Sequence, residues 1–416
     1  MRLFVVYNFV VRLSNLLLPA IGLFNKKIKK GVSGRHITFK FLKKNIQKND
    51  QVFWFHCASL GEYEQGLPVF KKLKELYPKA KIVLSFFSPS GYEVRKKNPI
   101  TSLVVYLPLD TKKNVACFLK TTAPNLVVFV KYEFWPNYLR ALQTHSAQVF
   151  LISALFRPDQ YFFKSYAKKW RESVLCFEHI FTQNIESKEL LKSIGFNRVT
   201  VSNDTRFDRV WNQLEQNNSL PIIDAFVGSK TCIVAGSTWP EDDALLVPYI
   251  NNQLSSLKFI IAPHNIEKQG MQKLLNKFGD KAVLYSNYDI ESLPQKEVLI
   301  IDSIGLLSKL YHYADIAYIG GGMGSSGLHN TLEAAVFGIP IIIGKNYDKF
   351  PEAIEMLKQG GLYTVADNIS FEKTLTTLLK DNSISQKSGE KNKAYVESNK
   401  GATTLITKKI NTLFND

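Results

Sequence analysis

From Gln51 onward the chain alternates short runs of β-branched and aromatic residues with charged stretches of helical period. QVFWFHC (51–57), KIVLSFF (81–87), SLVVYLPL (102–109), NLVVFV (125–130), QVFLISA (148–154) and HIFTQN (179–184) form a first series. Such runs, each leading into a helical pattern, predict βα units and a parallel sheet covered on both faces. After Val201 the rhythm breaks in the polar stretch WNQLEQNNSLP (211–221) and restarts. TCIVAGS (231–237), KFIIAP (258–263), AVLYS (282–286), EVLIID (297–302), DIAYIGG (315–321) and IPIIIG (339–344) form the second series. The pattern predicts two α/β domains of similar size, whose natural ligand site is the cleft between the carboxyl ends of the two sheets. Residues 386–416 read as polar helix, expected to pack back on the first domain.

The pattern before Gln51 is different. Leu3 to Phe24 holds sixteen apolar or aromatic residues in twenty-two, about the length of a helix that crosses ~30 Å of hydrocarbon. Asn8, Arg12, Asn15, Pro19 and Gly22 recur at steps of 4, 3, 4 and 3, which puts them on one helical stripe. A charge at the bilayer centre costs at least ~2.5–3.5 kcal/mol. A helix lying in the interface, or packing its polar stripe on the protein, avoids that cost. If the segment spans, the positive-inside rule places everything after Lys26 in the cytoplasm. A cleavable signal peptide and an ordinary buried first helix are the competing readings. The thin charged region and the lack of an A-x-A-like site oppose the first.

Charge sharpens this picture. The 416 residues carry 53 Lys+Arg against 36 Asp+Glu, a net +17, and eleven of the basic residues precede Asp50, the first acidic one. A nucleic-acid binder spreads its positive charge over a reading face, whereas here it is concentrated beside an apolar segment, so the expected partner is an anionic membrane surface and not nucleic acid. The 45% hydrophobic and 21% charged composition excludes a disordered or multi-span membrane chain. Cys57, Cys117, Cys176 and Cys232 have no paired spacing, which argues against a disulfide framework or a C-x-x-C metal site and fits a reducing compartment.

The candidate chemistry lies where strands end. In DIAYIGGGMGSSGLHNTLEAAVFGIPIIIG (315–344) a strand runs into Gly320, Gly321 and Gly322, and a helix is expected to begin around His329–Glu333. Glycines let a backbone approach a ligand, and the free N–H groups of a first helical turn bind phosphate. Neither a Walker loop nor a strict G-x-G-x-x-G is present, which disfavours an ATPase or a standard dinucleotide site. A glycine turn used only for packing is the plainer reading. Glu333 is placed to accept hydroxyls of a ribose, or merely to complement the helix dipole. AGSTWPEDD (235–243) repeats the strand-turn-helix pattern. His264 follows a buried strand in IIAPHN, a position where a lone histidine is more often structural. Asp302 and Ser303 stand at another helix entrance.

In the first half, FHCASLGEYEQG places His56, Ser59, Gly61 and Glu62 where a strand meets its helix, and VKYEFWPN places Glu133 after another strand. A carboxylate there can remove a proton from a hydroxyl. Arg157 and Arg206 are suited to an anionic substrate. No D-x-D occurs, so no metal held in that way and no cofactor are expected.

Together FHCASLGE, VKYEFWPN, ISALFRP, NDTRFD, AGSTWPED, APHNIEK and GLHNTLEAAVFGIP, in that order, resemble the 3-deoxy-D-manno-octulosonic acid (Kdo) transferase family over essentially the whole chain. S-x-G-E and H-N-x-L-E are the most specific elements. The resemblance implies a GT-B fold, with two Rossmann-like α/β domains facing each other across a cleft and an N-terminal membrane-associated helix. It further implies metal-independent, inverting transfer of Kdo from CMP-Kdo to the lipid A precursor, on the cytoplasmic side of the inner membrane. Carried over by position, the general base falls on Glu62 and the two transition-state stabilisers on Glu133 and Arg206. CMP contacts fall on Pro263 and His264, on Ile304, Gly305 and Leu306, and on Asn330, Thr331, Leu332 and Glu333. The family's usual P-R-H and G-E-L stand here as Pro263-His264-Asn265 and Gly305-Leu306-Leu307, and its lysine as Arg206.

The domain division expected from these features is a membrane helix and basic segment at 1–36, an acceptor-binding domain at 37–212, a CMP-sugar-binding domain at 213–385 and a helical segment at 386–416. Another GT-B sugar-nucleotide enzyme, a UDP-sugar transferase or epimerase, is the competing reading. A non-catalytic membrane-bound scaffold is a third, against which both strand-end carboxylates speak.

Overall fold

A computed structural model of the chain describes residues 2–164, 167–252 and 257–415. It divides into two compact units, Met1–Arg209 together with Lys400–Asp416, and Val210–Asn399.

In the first unit seven strands, β1 (Val52–Cys57), β2 (Lys81–Phe86), β3 (Leu103–Tyr106), β4 (Leu126–Val130), β5 (Gln148–Ala154), β6 (His179–Thr182) and β7 (Val199–Val201), form one sheet in the order β3-β2-β1-β4-β5-β6-β7. Every pairing is parallel. β1 to β5 are buried along nearly their whole length, as a sheet covered on both faces requires. The chain order reverses between β1 and β4, so the loops after these two strands flank the crevice where open α/β sheets hold ligands.

The second unit repeats the plan with β8 (Thr231–Thr238), β9 (Leu257–Pro263), β10 (Ala282–Leu284), β11 (Val298–Ile300), β12 (Ile316–Ile319), β13 (Ile341–Gly344) and β14 (Leu362–Val365), ordered β10-β11-β9-β8-β12-β13-β14 and again parallel. Its reversal lies between β8 and β12. Both units are Rossmann-like, the pair of α/β units that makes up a GT-B fold. β7 and β14 were not expected from the pattern, since VTV and LYTV are too short and too polar to announce strands.

The units exchange at Val210 and again at Lys400, where the sequence reading placed boundaries at 213 and 386. The helix Asn382–Asn399 stays with the second unit because Asn392, buried, donates to the carbonyls of Ile339 (2.8 Å) and Gly361 (2.7 Å). Only the helix Ala402–Asn415 packs on the first unit. Its Ile406 and Ile410 join that core, Phe414 meets Phe53 edge-on at 5.3 Å, and Asp208 accepts the amides of Gly401 and Thr403 at its start.

At the N-terminus a helix, Arg2–Ile21, is followed by a second, Lys26–Asn45, capped by Asn25. Phe4–Ile21 is the one stretch among the described residues long and apolar enough to cross a membrane. It nevertheless docks on the first unit: Tyr7 donates to Asp110 (2.7 Å), Asn137 donates to Asn8 (2.9 Å), and Arg140 lies over the Phe4 ring at 3.9 Å. The docked face is therefore the Phe4, Tyr7, Val11, Leu18 side. Of the expected polar stripe only Asn8 and Gly22 contribute burial or bonding, and Arg12 is exposed. On the opposite side Val5, Phe9, Leu13, Leu16 (74% exposed) and Leu17 face outward.

Candidate active site

Glu62 stands in the first turn of the helix Leu60–Leu76, which starts at Ser59 directly after β1. Its Oε2 accepts the amides of Ala58 and Ser59 (3.2 Å), so the side chain folds back onto the strand end and caps its own helix. Burial, with the nearby charge of Glu133 second, pushes the Glu62 carboxyl up to about 7, against the lowering by the two amides and by Lys131. A carboxylate that exchanges its proton near neutral pH suits a general base.

Glu133 follows β4 and is 7% exposed. Its Oε2 accepts from Trp135 Nε1 at 2.7 Å and lies 2.8 Å from Nε2 of His56, a fully buried histidine of β1. Nδ1 of His56 reaches Ser85 Oγ of β2 at 2.8 Å, and Ser85 Oγ accepts from Trp54 Nε1 at 2.7 Å. The backbone is left-handed at Lys131 (φ 65°), between β4 and Glu133. Ser153 (φ 52°), Asn203 (φ 65°) and Ser237 (φ 55°) repeat that conformation at other strand ends. Non-glycine residues rarely adopt it, and it clusters where structure is held for function.

Arg206 begins the helix Thr205–Trp211 after β7. Its Nε donates to Asp204 at 2.8 Å, and Asp204 also accepts from Gln65, one turn along the Glu62 helix, at 3.3 Å. Thr205 Oγ1 donates to the Gln65 carbonyl at 2.5 Å. The β7 turn is thus tied to the Glu62 helix. Tyr132 lies near Glu62, Asp204 and Arg157, and the Lys131 ammonium stands 5.3 Å from its ring. Lys131 and Arg157 give this rim positive charge.

In the second unit Asp242, fully buried, accepts from the Trp239 amide (2.9 Å), the Tyr318 hydroxyl (2.7 Å) and the Gly321 amide (2.8 Å). It ties the helix start after β8 to the glycine loop after β12, across the reversal of strand order. Burial raises its carboxyl, and the three donors oppose that. Gly321 has φ +89°, and a Cβ there would lie 2.1 Å from the Gly327 carbonyl oxygen, so only glycine fits. Trp239 donates its indole N–H to His329 Nε2 at 3.0 Å and stacks on His264 at 4.7 Å. Indole nitrogen only donates, so His329 accepts on Nε2 and carries its proton on Nδ1. Burial and His264 push the His329 imidazole down to about 4, which keeps it neutral at physiological pH.

The residues expected to hold CMP stand at the carboxyl ends of neighbouring strands. Pro263 and the exposed His264 end β9, Ile304 (87% exposed), Gly305 (φ +93°) and Leu306 follow β11, and Asn330 to Glu333 follow β12. Asn330 Nδ2 donates to Glu333 at 3.2 Å. Thr331 and Leu332 are buried, backbone and side chain alike. The helix expected to begin around His329–Glu333 is a single turn, Leu332–Ala335. Val336-Phe337-Gly338-Ile339-Pro340 stops it, with Gly338 at φ +74° and Pro340 closing the way to β13. Loop amides are the donors that remain.

His56, Ser85, Lys131, Asp204 and Asp242 carry this arrangement without having been picked out for these roles by the sequence. The alternation in FWFHC places Trp54 and His56 on one sheet face, but the partner Ser85 depends on strand register.

Residues 34–209 match the family described as 3-Deoxy-D-manno-octulosonic-acid transferase (kdotransferase). A 3-deoxy-D-manno-octulosonic acid transferase of Aquifex aeolicus is 29% identical over 366 residues, covering 86% of this chain and 95% of that one. A bifunctional glycosyltransferase/methyltransferase of Fusobacterium nucleatum is 25% identical over 386 residues; the match takes in 89% of this chain and 58% of that longer protein. Among solved structures, the UDP-GlcNAc 2-epimerase of Neisseria meningitidis superposes with a TM-score of 0.61 at 16% identity, over 88% of this chain and all of that one. That likeness speaks for the fold.

Proposed function

We propose that this chain, whose residues 34–209 match the Kdo transferase family, is a glycosyltransferase that moves Kdo from CMP-Kdo to a hydroxyl of the lipid A precursor. The observation that carries the reading is Glu62, a carboxylate held by the amides of Ala58 and Ser59 at the switch point of the first sheet, with its proton affinity raised by burial and by Glu133. In this reading Glu62 takes the proton of the acceptor hydroxyl as its oxygen attacks the anomeric carbon of Kdo from the face opposite the phosphate. The bond to the CMP phosphate breaks, and configuration inverts. No metal or cofactor enters the step.

Glu133 and Arg206 answer the charge that develops, Glu133 beside the positive anomeric carbon and Arg206 beside the departing phosphate or the Kdo carboxylate. Pro263, His264, Ile304, Gly305, Leu306, Asn330, Thr331, Leu332 and Glu333 hold CMP, largely through backbone groups. The outward apolar face of the first helix and the exposed Lys26, Lys27, Lys29 and Lys30 seat the enzyme on the cytoplasmic side of the anionic inner membrane, where its lipid acceptor resides.

Differential scanning fluorimetry with CMP-Kdo and with UDP-sugars tests the donor. Stabilisation by CMP-Kdo alone supports the reading. Stabilisation by a UDP-sugar alone transfers the protein to the epimerase or UDP-sugar transferase class.

A further inference from the structure

We infer that His56 is the positioning residue of Glu133, holding one carboxylate oxygen so that the other is presented to the reaction; this rests on the transfer reading above. His56 lies directly opposite Ser85 in the parallel register of β1 and β2, on the same face as Trp54 two residues earlier. Trp54 Nε1 can only donate, and it donates to Ser85 Oγ at 2.7 Å. The Ser85 hydroxyl then has its own proton for Nδ1 of His56, 2.8 Å away. The Glu133 carboxylate can only accept, so Nε2 carries a proton and donates to Oε2 at 2.8 Å, while the Trp135 indole N–H comes within 3.2 Å of the same nitrogen. Nδ1 also lies 3.1 Å from the Ser85 carbonyl, so a doubly protonated ring has an acceptor there and still donates through Nε2.

Trp135 Nε1 donates to the same Oε2 at 2.7 Å. Two donors thus converge on one oxygen, and among the described residues no hydrogen bond reaches Oε1. The whole relay is buried, with Trp54, His56 and Ser85 at 0% exposure, so its bonds are little weakened by solvent. A histidine placed here for packing alone would not need both ring nitrogens engaged in a directed chain that ends on a candidate reacting carboxylate.

The test measures steady-state turnover of CMP-Kdo with a tetra-acylated lipid A precursor by the full chain. His56→Leu, His56→Gln, Ser85→Ala and Glu133→Gln are compared, together with the first three in the Glu133→Gln background. Loss of a supporting bond of this kind typically costs roughly 10–100-fold, so His56→Leu is expected to lower kcat by that factor with the KM for CMP-Kdo within about 3-fold. His56→Gln, whose amide donates from a similar place, recovers part of the rate. In the Glu133→Gln background all three changes become nearly silent, because the group they position is already gone.

Should His56→Leu fail to fold by circular dichroism, His56→Gln and Ser85→Ala carry the same comparison. Losses that multiply fully with Glu133→Gln, or unchanged kcat in every folded variant, overturn the positioning role while leaving the transfer reading intact. A wild-type chain that does not turn over CMP-Kdo overturns both.

Discussion

Glu62 accepts the backbone amide of Ser59 at 3.2 Å, so one side chain both caps the helix after β1 and offers a proton-accepting oxygen at the switch point of the sheet. The capping bond fixes the rotamer without help from a substrate. Burial and Glu133 hold its proton affinity far above that of a free carboxyl. Preorganisation and tuning thus come from the same few residues.

The rate of transfer is expected to follow the ionisation of Glu62. A plot of kcat/KM against pH should rise from pH 6 to pH 8 with an apparent pKa near 7, the value reached by burial beside Glu133. Stability runs the other way. The unfolded chain releases this proton around 4.5 while the folded chain keeps it to about 7, so ionised Glu62 is a growing cost to the fold across that window. Glu62→Gln should therefore raise the melting temperature more at pH 8 than at pH 5; an equal shift at both would contradict the assigned burial.

Asp242 holds the glycine loop against the start of the helix after β8. Asp242→Ala leaves the amides of Trp239 and Gly321 without their acceptor, at a cost of about 1–3 kcal/mol for each buried group left unpaired. The expected outcome is a donor KM raised by one to two orders of magnitude and a lower melting temperature. Asp242→Asn should fall between, since its amide oxygen can still serve both N–H groups while the Tyr318 hydroxyl turns to accept.

Gly321→Ala meets two obstacles at once, a left-handed backbone and a Cβ 2.1 Å from the Gly327 carbonyl oxygen. Strain of this kind costs on the order of 1–3 kcal/mol and must be relieved by moving the loop. CMP binding by calorimetry should weaken at least tenfold, with circular dichroism nearly unchanged. Native affinity in this variant would remove the glycine loop from the donor site.

Membrane attachment should depend on both parts of the N-terminus. Each lysine near an anionic surface adds ~1 kcal/mol, so replacing Lys26, Lys27, Lys29 and Lys30 by Gln is expected to weaken binding to vesicles containing 20% anionic lipid by on the order of 10²-fold or more. Binding to uncharged vesicles should change little. Leu16→Asp and Leu17→Asp, on the outward face, should weaken binding to both.

Much of this was legible in the sequence for a physical reason. Parallel strands buried on both faces read as unbroken apolar runs, which located twelve of the fourteen strands among the described residues; β7 and β14 escaped because VTV and LYTV are short, half-buried and interrupted by threonine. Glu62, Glu133 and Arg206 stand at strand ends because βα turns place residues there. Their supports were not legible. Ser85 meets His56 through sheet register, Asp204 meets Gln65 across 139 residues, and Asp242 meets Gly321 across 79. The helix at Leu332 begins within the expected 329–333 but ends after one turn, because Gly338 and Pro340 cut short the helical propensity of TLEAAVF.

The central claim is that Glu62 takes the acceptor's proton while Kdo is transferred. The direct measurement is the product mass after incubating CMP-Kdo and a tetra-acylated lipid A precursor with wild-type protein and with folded Glu62→Gln. Lipid heavier by one or more Kdo residues with the wild type, and a rate at least ~10³-fold lower with the variant, is the predicted result. Unmodified lipid with the wild type, or near-native turnover by Glu62→Gln, would contradict the account.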